Sequence, residues 1–128
     1  MTERKVLKID FSRNRLRERA EKYYDEGNYL SALRFTYKEM SLYGGNGETY
    51  MMLSDIYENM ELYSSAVNCW FRFMDNCTGD DLPDIYEGLA VNYLNMGNEA
   101  QSAFYYNKLI DADDTLPEEN KLEIAETF

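Results

Sequence analysis

Apolar side chains recur at steps of three and four along residues 50–60, at Tyr50, Leu53, Tyr57 and Met60. The same steps return at Tyr86, Leu89, Tyr93 and Met96. Such steps line one stripe of a helix. A second stripe follows a short polar break, as Ala66, Trp70 and Phe73, and in an earlier stretch as Leu33, Phe35 and Met40. The pattern predicts helices over 13–26, 29–43, 48–60, 63–77, 83–96 and 99–112. "GGNG" at 44–47 is expected to end the second of them, where glycine suits the left-handed turn. "TLPEENKLEIAETF", residues 115–128, reads as a seventh helix. Thr115 or its neighbour can cap it, Pro117 suits its first turn, and Glu118 and Glu119 suit the positive end of its dipole. "KVLKIDF" alternates in polarity, so residues 1–12 are expected to form an extended or disordered arm.

The break between stripes repeats. "AEKYYDEGNYLSAL" starts at Ala20, "SDIYENMELYSSAV" at Ser54 and "AVNYLNMGNEAQSA" at Ala90, offsets of 34 and 36. Each copy opens on a small residue and carries a tyrosine three positions on, at Tyr23, Tyr57 and Tyr93. A second small residue lies twelve positions after the first, at Ala32, Ala66 and Ser102. Gly27 and Gly97 fall in register, and Glu61 takes that place in the middle copy. The two extra residues fit the loop "CTGDDLPD". Small residues let paired helices approach closely. One helix pair cannot enclose its own apolar face, so neighbours must stack. The expected fold is all-α, a solenoid of antiparallel helical hairpins with six to seven helices.

This pattern resembles the tetratricopeptide repeat family. "LSDIY" at 53–57 and "LAVNY" at 89–93 match its first helix, and "YLSAL" at 29–33 and "YSSAV" at 63–67 match the start of its second. Arg19 departs from the pattern, standing where an apolar residue is usual, and the closing proline survives only loosely as Pro83 and Pro117. The resemblance implies a right-handed solenoid of three repeats, 13–46, 47–82 and 83–114, followed at 115–128 by a capping helix or the start of a further repeat. A related hairpin array or a plain helix bundle stays open as an alternative.

The resemblance also implies a concave groove lined by the first helix of each repeat. Projected onto this chain, it would carry Asn14, Arg17, Glu21 and Tyr24, then Glu48, Met51, Met52, Asp55 and Glu58, then Asp84, Glu87, Val91 and Leu94. Methionines adapt to varied apolar partners, and the carboxylates favour Lys or Arg. The implied partner is a peptide or helix with apolar and basic residues. The same carboxylates can instead form a solvated face. Family members that clamp the acidic ends of heat-shock chaperones need Lys, Asn and Arg in this groove. Arg17 fits one such place, but Glu21, Met52, Asp84 and Gly88 occupy the others, so that subtype is not expected.

Composition changes this picture in a few places. The chain of 128 residues suggests one domain, and 45% hydrophobic content is too high for a disordered one. Net charge is −11, unevenly spread. Residues 1–22 hold eight Lys/Arg against four Asp/Glu, and residues 23–128 hold five against twenty. The acidic body should repel nucleic acid and anionic membrane, so nucleic acid is not an expected partner. Arg13, Arg15, Arg17, Arg19 and Lys22 ring the first helix. That ring can contact nucleic acid or membrane, dock the acidic body of a second copy head to tail in a homo-oligomer, or be a plain exposed face.

Catalytic and metal chemistry find little support. The chain has no histidine, which removes Ser-His-Asp and Cys-His catalysis and most zinc sites. Cys69 and Cys77 are too few for a disulfide framework and read as packed thiols. "GGNGET" lacks the Gly-Lys-Ser/Thr of a nucleotide loop. A calcium loop from Asp111 would need Gly at 116 and Glu at 122, where Leu116 and Leu122 stand. No cofactor, metal or enzyme activity is expected. Without a membrane-length apolar run or a signal-peptide core, the expected location is cytoplasmic, and the "NCT" sequon at Asn76 goes unused. The chain is thus expected to be an acidic adaptor or scaffold. A self-assembling unit, or a regulatory domain of a longer enzyme or transport protein, stands as the alternative.

Overall fold

The computed structural model describes residues 2–112, with side chains from Ser12 onward. Six α-helices follow one another: α1 Thr2–Asp25, α2 Tyr29–Tyr43, α3 Gly47–Asn59, α4 Tyr63–Asp75, α5 Leu82–Asn95 and α6 Glu99–Ala112. A short 3-10 turn, Gly79–Asp81, precedes α5. There is no strand among the described residues. The chain is an all-α helical-hairpin repeat. It divides into two compact units, Met1–Glu61 and Leu62–Phe128, with the boundary in the turn between α3 and α4. In the first unit α1 packs on α2 and α2 on α3; in the second α4 packs on α5 and α5 on α6.

The elbows explain the repeated Gly-Asn. At the end of α1, Asn28 N–H donates to Tyr23 O (2.8 Å) and Gly27 N–H to Tyr24 O (3.0 Å). At the end of α5, Asn98 N–H donates to Tyr93 O (2.9 Å) and Gly97 N–H to Leu94 O (2.9 Å). These paired bonds satisfy the last helical carbonyls in a Schellman turn. The turn needs a left-handed residue, and Gly27 and Gly97 supply it at φ 77° and 80°. Each asparagine then caps the next helix, Asn28 Oδ1 accepting from Ser31 N (3.3 Å) and Asn98 Oδ1 from Gln101 N (3.2 Å). The middle break lacks both residues. Glu61 is left-handed at φ 61°, and Leu62 gives α4 no side-chain cap.

The small residues of the repeat are all buried: Ala20, Ala32 and Ser54 in the first unit, Ala66, Ala90 and Ser102 in the second. Ser102 Oγ donates to Ala90 O at 2.7 Å, tying α6 to α5 through the repeat positions themselves. Leu53 and Ile56 complete the core of the first unit, and Trp70, Phe73, Ile85 and Leu89 that of the second. The repeat tyrosines lie half-buried against aromatic partners: Tyr23 stacks on Phe35 (5.5 Å) and Tyr93 on Tyr105 (5.9 Å).

Three expectations meet a different outcome. First, α1 begins at Thr2, so the segment expected as an extended arm is helical. No Gly or Pro interrupts residues 2–25, and a short alternating run does not override that continuity. Second, the apolar stripe of α2 is not its deepest face. Leu33, Phe35 and Met40 are half-buried, while Ala32, Thr36 and Glu39 are buried. Thr36 can go inside because its hydroxyl donates to Ala32 O at 2.8 Å, and Glu39 because arginines reach it. Third, Met96 ends its stripe in solvent, 44% exposed. The helix expected over 115–128 lies outside the described residues.

Candidate partner-binding face

The projected groove residues of the first unit stand on α1 and α3. Their neighbours divide them into a structural set and an accessible set. Arg17 belongs to the structural set. It is half-buried, its Nε lies 3.1 Å from Glu39 Oε1, and it also pairs with Glu48 and with Asn46 Oδ1 (3.3 Å). Met52 shares a small interior void with Arg17, Ala20 and Glu39, so it packs inward. Met51 is half-buried, and Asn14 and Glu21 are exposed.

The accessible set gathers around Tyr24. Asn59 Nδ2 donates to Tyr24 Oη (2.8 Å) and to Asp55 O (2.8 Å), which locks the end of α1 to the last turn of α3. Tyr29 meets Tyr24 edge to face at 5.8 Å. Burial first, then the charge of Asp55, raise the Tyr24 hydroxyl pKa, with the Asn59 hydrogen bond opposing. Asp55 and Glu58 follow at i and i+3 on α3, where side chains are neighbours. Asp55 is exposed as a residue, yet withdrawal of its carboxyl from water pushes its pKa up to about 6, and Glu58 adds to the rise.

This acid pair makes a stability prediction. The folded chain holds the Asp55 proton more tightly than the unfolded chain, where the ordinary value is 3.8. Stability is therefore lost as pH climbs from about 4 to about 6, and the loss is complete above that window. Asp55→Asn is expected to raise stability at pH 7 by about 1 kcal/mol, well below the full linkage because solvent screens an exposed group. At pH 3 the gain should vanish. Urea unfolding at the two pH values checks both.

In the second unit the projected residues lie on α5. Asp84, Glu87 and Leu94 are exposed and Val91 is half-buried. Glu87 bears on α6, where burial first and its charge second raise the Tyr106 pKa. Tyr105 gathers Phe71, Tyr86, Tyr93 and Phe104 at ring distances from 5.0 to 6.2 Å. Sequence reasoning passed over Tyr29, Glu39, Asn59 and Tyr105. The one available signal was at Asn59, four residues after Asp55, a spacing at which a side chain can reach back to a helical carbonyl.

Among the described residues no group of three or more His, Cys, Asp or Glu could hold a metal ion. Cys69 is buried and Cys77 half-buried, both as thiols. No helix of the described residues is long and apolar enough to cross a membrane.

Helical hairpins with small residues at the seam and a left-handed elbow define a helical-hairpin repeat. A tetratricopeptide repeat model matches residues 83–115, the third copy of the pattern. With the hairpins and their shared register, that match supports a likeness to tetratricopeptide repeats, a family of protein–protein interaction modules. A search of curated proteins returned no match.

Proposed function

We propose that this chain is a non-catalytic adaptor or scaffold of the cytoplasm whose acidic face takes a peptide or helix bearing basic and apolar residues. The observation that carries this reading is the Asp55–Glu58 pair beside Tyr24. A carboxylate raised by burial and by a neighbouring Glu58, as Asp55 is, gains from a cation placed beside the pair, and a Lys or Arg of the partner supplies it. Tyr24, Tyr29 and Met51 offer apolar surface within the same unit. Asp84 and Glu87 give the second unit an acidic face of its own on α5. Glu48 contributes less than its charge suggests, because Arg17 already neutralises it.

The test reverses the charge where it is concentrated. Wild type and an Asp55→Lys, Glu58→Lys variant are used as bait in lysate of the source cell, and retained proteins are identified by mass spectrometry. Circular dichroism verifies that the variant folds. Proteins held by wild type and lost by the variant are expected, enriched in basic segments. A direct titration of such a partner should weaken as pH falls through about 6, when Asp55 gains its proton. Identical retained sets would sink the reading.

A further inference from the structure

The basic ring of α1 splits by spacing, and its two halves do different things. Arg13 and Arg17, four apart, turn inward. Arg13 donates to Tyr43 O (3.1 Å) and Gly44 O (2.8 Å) at the end of α2, and both arginines reach buried Glu39. Arg15 and Arg19, also four apart, face a cleft between α1 and α2 instead. The cleft encloses about 300 Å³ within the first unit and shares no residue with the acidic face.

Its lining joins Arg15, Arg19 and Lys38 to Leu16, Phe35 and Leu42, and no Asp or Glu is among the described residues that line it. The Arg19 guanidinium lies 5.7 Å over the Phe35 ring, so the aromatic floor also holds a cation in place. Among the described residues neither Arg19 nor Lys38 forms an ion pair. Leu42, 59% exposed, leaves apolar area uncovered at one wall. A segment that carries carboxylates and spaced apolar groups together complements this lining.

One segment of the chain has that chemistry. Residues 111–128, "DADDTLPEENKLEIAETF", hold seven Asp/Glu against one Lys, with Leu116, Leu122, Ile124 and Phe128 between them. We propose that the α1–α2 cleft of one copy takes the acidic segment 111–128 of a second copy. Its carboxylates meet Arg19 and Lys38, and its apolar side chains cover Leu16, Phe35 and Leu42. The contact is head to tail, so each copy keeps a cleft and a segment for the next, and association can continue beyond a dimer.

Light scattering over a concentration series and fluorescence anisotropy with a labelled 111–128 peptide test this together. The full chain is expected to exceed monomer mass at about 0.05 M salt and to approach it at about 0.5 M, where exposed charges are screened. The peptide should bind the full chain. Arg19→Glu with Lys38→Glu should weaken that binding about tenfold or more and abolish self-association. A peptide carrying Glu118→Lys, Glu119→Lys and Glu123→Lys should fail on wild type and recover on the charge-reversed cleft. The failure on wild type does not depend on the folding of the cleft variant, and recovery on that variant shows that it folds. A chain that stays monomeric at every concentration overturns the proposal, even if the peptide binds. So does peptide binding that ignores either charge reversal.

Discussion

Arg17→Met is expected to destabilise the first unit by about 3 kcal/mol, the cost of leaving a buried charge without its principal partner. Glu39 is 1% exposed, and among the described residues its carboxylate pairs with arginines of α1 alone. Arg17 Nε approaches to 3.1 Å, whereas Arg13 Nη2 stands at 3.8 Å and donates to Gly44 O while Nη1 donates to Tyr43 O. Removing Arg17 therefore strands Glu39 and also releases Glu48 and Asn46 at the start of α3. Arg17→Lys should recover little, since a single ammonium cannot serve several acceptors held at the angles of a guanidinium fork. Adding Glu39→Met to Arg17→Met should restore most of the loss, because two apolar side chains of similar volume pack without an unpaired charge. Urea denaturation followed by circular dichroism gives the cycle. A double variant no more stable than Arg17→Met alone would mean that Glu39 is not the group being stranded.

Gly88→Ala is expected to cost about 2–3 kcal/mol, although alanine is the better helix former by about 1 kcal/mol. Gly88 lies inside α5 and faces α4 within the second unit. A methyl group there would fall onto the indole of Trp70, against Cε2, Nε1 and Cζ2. Trp70 is 4% exposed and stacks on Phe73 at 6.3 Å, so its ring cannot turn away without opening the core. Asn92 adds a second constraint, since its Nδ2 donates to Gly88 O at 2.7 Å and fixes that turn of α5. The melting temperature should fall by about 10 °C. Trp70→Phe removes the ring edge that meets the methyl group, so its cost in the Gly88→Ala background should be smaller than in wild type. A variant as stable as wild type would show that α4 and α5 do not approach as closely as this packing requires.

Much of the local structure was legible because it is written at fixed spacing. The steps of three and four located α3 and α5, and the recurring small residues marked the positions that prove most deeply buried. The Gly-Asn pairs marked both the Schellman turns and the caps that follow them. Glu61 shows the limit of that reading. A left-handed residue stands there without glycine, so that conformation is not marked by residue type alone.

The candidate site was legible only in part, for a related reason. Position on a helix says which side chains lie on one face, but not which of them another helix already engages. Arg17 and Met52 stood in the projected groove and proved to be interior contacts, whereas Asn59, outside the projection, joins Tyr24 to α3. Arg13, Arg15, Arg17 and Arg19 look alike in sequence. Alternation along one helix sends two of them to Glu39 and two to a cleft whose far wall comes from α2.

By itself, then, the sequence determined α2 to α6, the two Gly-Asn elbows, the register of the repeat and the sign of its surface charge, because each of these depends on residues within about one repeat of one another. Tertiary structure alone decided that Thr36 and Glu39 could be buried, that Gly88 must leave room for an indole, and which charges are spent inside the fold. Those outcomes rest on distances between helices, and a buried polar group becomes tolerable only when a partner from another turn or another helix arrives to satisfy it.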